Sequence, residues 1–265
     1  MPFAQQSGVN IYFETYGSGT PVVLLHPFST NRYFWSRQIF TLAQKHRVIV
    51  IDLRGHGLSD KPASGYSIPK LALDVEAVLK AVGDEKAVVV GVSVGGMIAM
   101  QLALQSPQYV KALVLISCGT NLAPYVPAVA LQAYQERFEA AFGFMLQGSL
   151  SERTKTEKPE IFEYLNSVFR TQDNFTKESY LASLRDSEGI FNWNILDSLK
   201  EIQVPTFVFA GASDQAVPLE AVRTLSHAIP HASFKIVPDV GHYYPLEQAD
   251  QFNRDLVSIL ETPEI

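Results

Sequence analysis

An unbroken apolar run, Ala87–Val92, ends in Gly91-Val92-Ser93-Val94-Gly95 and passes directly into the helix-like stretch Gly96–Leu104. A strand with no polar alternation must be covered on both faces, so it belongs inside a mainly parallel sheet flanked by helices. Parallel neighbours need crossover connections, so other short apolar runs should alternate with helical segments. They do. Pro21–His26, Arg47–Asp52, Ala112–Ile116, Thr206–Ala210 and Ser233–Val237 read as strands. Ile11–Tyr16 reads as an antiparallel first strand, turned by Gly17-Ser18-Gly19. Helices are predicted over Ile68–Val82, Gly95–Gln105, Leu219–Ala228 and Gln248–Leu260. The expected class is therefore α/β, a mostly parallel twisted sheet with helices on both faces.

One stretch breaks the alternation. Residues 121–199 contain no convincing buried strand but carry helical patterns over 128–142, 159–170 and 177–186 and many aromatic residues. The reading is a core formed by 1–120 and 200–265 with a helical cap inserted at 121–199. An ordinary run of crossover helices is the alternative. At 265 residues and 47% apolar side chains the chain can bury a large core. A net charge of −6 with no Lys/Arg-rich run argues against nucleic acid. No apolar stretch approaches the roughly 18 residues of a membrane span, and the first ten residues do not read as a signal peptide, so a cytoplasmic protein without membrane contact is expected. Cys118 is the only cysteine. It excludes an internal disulfide and reads as a small buried residue. No ligand spacing for a metal and no nucleotide-binding loop is present, so neither metal nor cofactor is expected.

Gly91-Val92-Ser93-Val94-Gly95 matches G-x-S-x-G in the strand–turn–helix context that exposes a serine at the end of a sheet. A serine hydroxyl needs a base. Of the six histidines, His242 in Val240-Gly241-His242-Tyr243 follows the last strand and a candidate acid. His46, His227 and His231 read as surface residues, and His26 as a loop-holding structural residue. The acid that orients the base is expected to be Asp214, after the strand Thr206–Ala210, and the order Ser, Asp, His suits this architecture. Asp239 is the competitor, but it lies too near His242 in sequence to reach the far ring nitrogen. The oxyanion donors are expected to be the backbone amides of Val94 and, because Pro27 has no N–H, of Phe28. Asp52–Asp60 reads as a packed structural turn.

Taken together, His26-Pro27-Phe28, Asp52-Leu53-Arg54-Gly55-His56-Gly57-Leu58-Ser59, Gly91–Met97, Asp214 and Gly241-His242 make the chain resemble the α/β-hydrolase superfamily along nearly its whole length. It is most similar to the cofactor-free group of enol-lactonases, small carboxylesterases and perhydrolases. Pro27 departs from the glycine common there. The resemblance implies an α/β fold with a mostly parallel, eight-stranded twisted sheet, and a serine hydrolase acting on a small-molecule ester or lactone through an acyl-enzyme. Trp35, Met97, Tyr125 and Trp193 are expected to contact substrate. Arg32, or Arg153, Arg170 or Arg185, is the candidate anchor for an anionic one, against the more common reading of each as a solvated surface arginine. Carbon–carbon bond hydrolysis, perhydrolysis with the same triad, or a hydrolase-like ligand receptor are the alternatives. A homo-oligomer is left open.

Overall fold

The computed structural model describes residues 2–83, 86–120, 136, 146–171, 175–186, 189, 192–263 and 265. Its strands are β1 (Phe3–Gln6), β2 (Val9–Tyr16), β3 (Thr20–Leu25), β4 (His46–Ile51), β5 (Ala87–Val92), β6 (Val110–Ile116), β7 (Thr206–Gly211) and β8 (Ser233–Val237). They form one 8-stranded sheet in the order β1-β2-β4-β3-β5-β6-β7-β8. From β4 to β8 all neighbours are parallel, while β1 and β2 pair antiparallel at one end. This is the expected α/β architecture.

The sheet is buried by alternation across its two faces. Val23 and Leu25 of β3 face α2 (Ile68–Val82), α3 (Val94–Gln105) and the helix Leu219–Ala228. Val22 and Leu24 face α1 (Ser36–Leu42) and the C-terminal helix Ala249–Leu260. β3 lies between β4 and β5, so the chain leaves β3 toward one side of the sheet and leaves β5 toward the other. The carboxyl ends of β3 and β5 therefore flank a topological switch point, where open α/β sheets form their crevice. Among the described residues no strand lies between β6 and β7. That interval holds the helices Glu152–Glu157, Pro159–Phe169 and Lys177–Arg185. The helical pattern over 128–142 lies outside the described residues.

Local expectations are corrected at His46, at the first strand, which is not Ile11–Tyr16, and at Trp35. His46 is not a surface residue: it opens β4, and neither ring nitrogen has a hydrogen-bond partner among the described residues. Burial lowers its pKa. The segment before Asn10 holds β1, and α1 follows a single 3-10 turn over Arg32–Trp35. That turn swings Trp35 into the core beside Phe34 and Phe252, where it is 0% exposed.

Candidate active site

The turn after β5 is set by two close approaches. A Cβ on Gly91 would lie 2.3 Å from the Gly95 carbonyl carbon, and one on Gly95 would lie 2.3 Å from the Leu25 carbonyl oxygen. Only hydrogen fits at either position, which is why both flank the serine. Ser93 between them sits at φ 54°, ψ −117°, a conformation strained for any residue with a side chain. Its N–H donates to the Ile116 carbonyl (2.9 Å), and its carbonyl accepts from Gly96 and Met97 (2.9 and 3.1 Å). The strain is thus held by neighbours on both sides. Between Ala87 and Met100 Ser93 alone is not buried. It also caps α3, whose first amides and positive dipole end face the same space.

A second approach joins the loops after β7 and β8. A Cβ on Gly211 would lie 2.0 Å from the Gly241 carbonyl oxygen. This contact brings Asp214 and His242 together: Asp214 Oδ2 is 2.8 Å from His242 Nδ1. The other carboxylate oxygen accepts from the amides of Ala216 and Val217 (2.8 and 3.0 Å), so the group cannot rotate away. Both side chains are nearly fully buried. A carboxylate at Nδ1 keeps the proton there and leaves Nε2 as the basic nitrogen. Asp239 adopts φ 57° in the preceding turn and points its carboxylate at Arg153 (3.5 Å). Among the described residues no hydrogen bond joins Ser93 Oγ to His242. Such contacts often tighten only when substrate binds.

The loop after β3 is built by two neutral histidines. His26 donates from Nδ1 to the Pro27 carbonyl (2.8 Å) and accepts at Nε2 from the Leu53 amide (3.0 Å). His56 donates from Nδ1 to the Arg54 carbonyl (3.1 Å) and accepts at Nε2 from the Ser29 amide (3.2 Å). Burial lowers their pKa values to about 4 and about 3, respectively. Phe28 packs against His56 and Tyr180. The amides of Phe28 and Val94 have no hydrogen-bond partner among the described residues.

Other expected positions fall elsewhere. Met97 is 0% exposed inside the face packed by α2 and α3, so like Trp35 it offers no surface to a ligand. Trp193 is buried and donates to Gln101 Oε1 (2.9 Å). Tyr125 lies outside the described residues. Arg32 is no free anchor. Its guanidinium bonds Asp52 (2.7 Å), Glu14 (2.8 Å) and the Tyr33 hydroxyl (3.0 Å) and lies over the Tyr12 ring. A buried cation already paired with two carboxylates has its charge compensated inside the fold and is not free to anchor a ligand. Arg153 pairs with Glu157, and Arg170 and Arg185 are exposed. Cys118 is buried, which pushes its thiol up to about 12. Among the described residues no cluster of three or more His, Cys, Asp or Glu could hold a metal, and no helix is long and apolar enough to cross a membrane. Sequence reading missed Glu247, whose carboxylate is 1% exposed and bonds the amides of Gly241 and Tyr243.

A parallel sheet with a strained serine turn after β5 and an Asp–His pair after β7 and β8 defines the hydrolase class of α/β proteins. The chain belongs to the alpha/beta hydrolase fold family, whose model matches residues 20–249. It is similar to a solved structure of Est816, an N-acyl homoserine lactone degrading enzyme. That match has 46% identity, covers 97% of this chain and 99% of that one, and has a TM-score of 0.94. It is 27% identical to the pimeloyl-[acyl-carrier protein] methyl ester esterase of Vibrio atlanticus (strain LGP32), over 95% of this chain and 98% of that protein. The enol-lactonase of Burkholderia xenovorans LB400, 24% identical with TM-score 0.89 over 98% of this chain and 100% of that one, shares the fold. The relatives support a hydrolase.

Proposed function

We propose that this protein is a serine hydrolase that opens lactones and cleaves carboxylic esters through an acyl-enzyme on Ser93, His242 and Asp214. The observation that carries the reading is the 2.8 Å contact between His242 Nδ1 and Asp214, at the same sheet edge as the strained Ser93 turn. His242 Nε2 takes the Ser93 proton as Oγ attacks the carbonyl carbon. The amides of Phe28 and Val94 receive the oxyanion. The ring or ester C–O bond then breaks, and His242 returns its proton to the leaving oxygen. Water, deprotonated by the same imidazole, adds to the acyl carbon; the bond to Ser93 Oγ then breaks, His242 returns the proton to Oγ, and the acid leaves. All atoms come from substrate, water and Ser93.

The helices between β6 and β7 act in this reading as a cap. Tyr180 lies 4.7 Å from Phe28, and Asn31 bonds Thr171 across the β3 loop (3.3 Å). The Phe28, Phe175 and Tyr180 rings make an apolar wall suited to an acyl chain. The likeness to Est816 supports N-acyl homoserine lactones as the first substrates to assay. Chromatography of a C6 and a C12 N-acyl homoserine lactone should show conversion to the ring-opened acids by wild type and none by S93A above the uncatalysed rate. Turnover of p-nitrophenyl acetate without any lactone opening would restrict the activity to esters; equal turnover by S93A would remove the serine from the reaction.

A further inference from the structure

The Glu247 side chain is buried, at 1% exposure, and among the described residues no cation bonds its carboxylate oxygens; Lys158 Nζ bonds only the Glu247 backbone carbonyl (2.8 Å). Burying such a charge is costly unless its oxygens are fully hydrogen-bonded. Here they are. Oε1 accepts from the amides of Gly241 (3.0 Å) and Tyr243 (3.1 Å). Oε2 accepts from the Ser151 amide (3.0 Å) and the Thr154 hydroxyl (2.8 Å). The residue between the first two is His242, whose own amide donates to the Ser149 carbonyl (2.7 Å). Three successive amides are therefore pinned, and every partner comes from Glu247 or from the segment 149–154. Gly241 presses on the same segment: a Cβ there would lie 2.3 Å from the Ser149 carbonyl oxygen.

We propose that Glu247 is the positioning residue for the base, holding the backbone on both sides of His242 and so setting where imidazole Nε2 stands relative to Ser93. The claim rests on the acyl-enzyme reading above. Asp214 fixes the ring's rotation at Nδ1 but not the height of the loop that carries it. A two-oxygen acceptor is needed because the donors arrive from two separate parts of the chain. A glutamine has one acceptor oxygen and must present its NH2 to the remaining donors.

A displaced base impairs proton return to a poor leaving group more than departure of one that needs no proton. This separates positioning from general loss of structure. In E247Q, kcat for an alkyl ester or lactone should fall about 100-fold, kcat for p-nitrophenyl acetate about tenfold or less, and KM for either by less than about threefold. E247D, which keeps the charge but falls short of one donor pair, should show the same leaving-group-dependent loss and carries the comparison should E247Q not fold. T154V removes one bond from the far side of the carboxylate and should leave both substrates within about threefold. Equal losses on the two substrates in folded E247Q or E247D, or kcat within twofold of wild type, would overturn the proposal. S93A and H242A run in parallel: full turnover by either defeats the acyl-enzyme reading, whereas their inactivity beside an unaffected E247Q defeats only the positioning role.

Discussion

Ser93 carries the cost of its own exposure. A non-glycine residue at φ 54°, ψ −117° stores about 1–3 kcal/mol that the Ile116, Gly96 and Met97 hydrogen bonds hold in place. S93G relieves that strain, so its Tm should rise by a few degrees while ester turnover disappears; a lower Tm by calorimetry would show that the turn is relaxed with serine in it. D214N keeps the shape at Nδ1 but supports the wrong tautomer, and kcat should fall by about 10³–10⁴. At this scale much of the site was legible. The glycines at 91 and 95 are both required by sub-van der Waals approaches, and sequence shows them directly. Glu247 was not legible, because its partners Ser151 and Thr154 are 96 and 93 positions away and only the fold brings them near. Trp35 and Met97 misled for the converse reason. Large side chains beside a motif look like pocket lining, but the 3-10 turn and the first turn of α3 direct both into the core.

The elements that frame the site are loops locked by buried ion pairs. Arg32 ties the loop after β3 to Asp52 after β4 and to Glu14 on β2, and Arg54 grips Asp74 on α2 through two bonds (2.9 and 2.7 Å). Removing one partner of such a pair leaves an uncompensated buried charge, worth about 3–5 kcal/mol. R32A should therefore lower the unfolding midpoint in urea markedly and change turnover of neutral and anionic lactones by the same factor. A loss confined to the anionic lactone would restore the anchor role to Arg32. The continuous apolar strands and the helix Ile68–Val82 were readable because burial on both faces and helical period each leave a pattern. β1 (Phe-Ala-Gln-Gln) left none, since it is a short edge strand with one buried side chain. α1 was hidden by its own composition: Phe40 is 78% exposed, while Gln38 is buried and bonds the Pro245 carbonyl (2.8 Å).

Across the whole molecule, buried histidines contribute to the acid response. His26, His46 and His56 are all lowered by burial, His26 to about 4 and His56 to about 3. Above pH 6.5 both folded and unfolded states hold these rings neutral, and nothing is lost. Below it the unfolded chain takes up protons that the folded one refuses, so stability falls as pH drops from about 6.5 toward 3. Each tenfold difference in proton affinity is about 1.4 kcal/mol. Tm should decline steadily over that window by scanning fluorimetry, and H56Q, whose amide oxygen still accepts from Ser29, should flatten the decline. An unchanged slope in H56Q would assign the acid sensitivity to other groups. The central claim is that Ser93 becomes covalently acylated. The most direct measurement is peptide mass spectrometry after reaction with a fluorophosphonate. The account predicts a single adduct on the Ser93 peptide, absent in S93A and slowed by orders of magnitude in H242A. A label on another residue, or none on catalytically active protein, would contradict it.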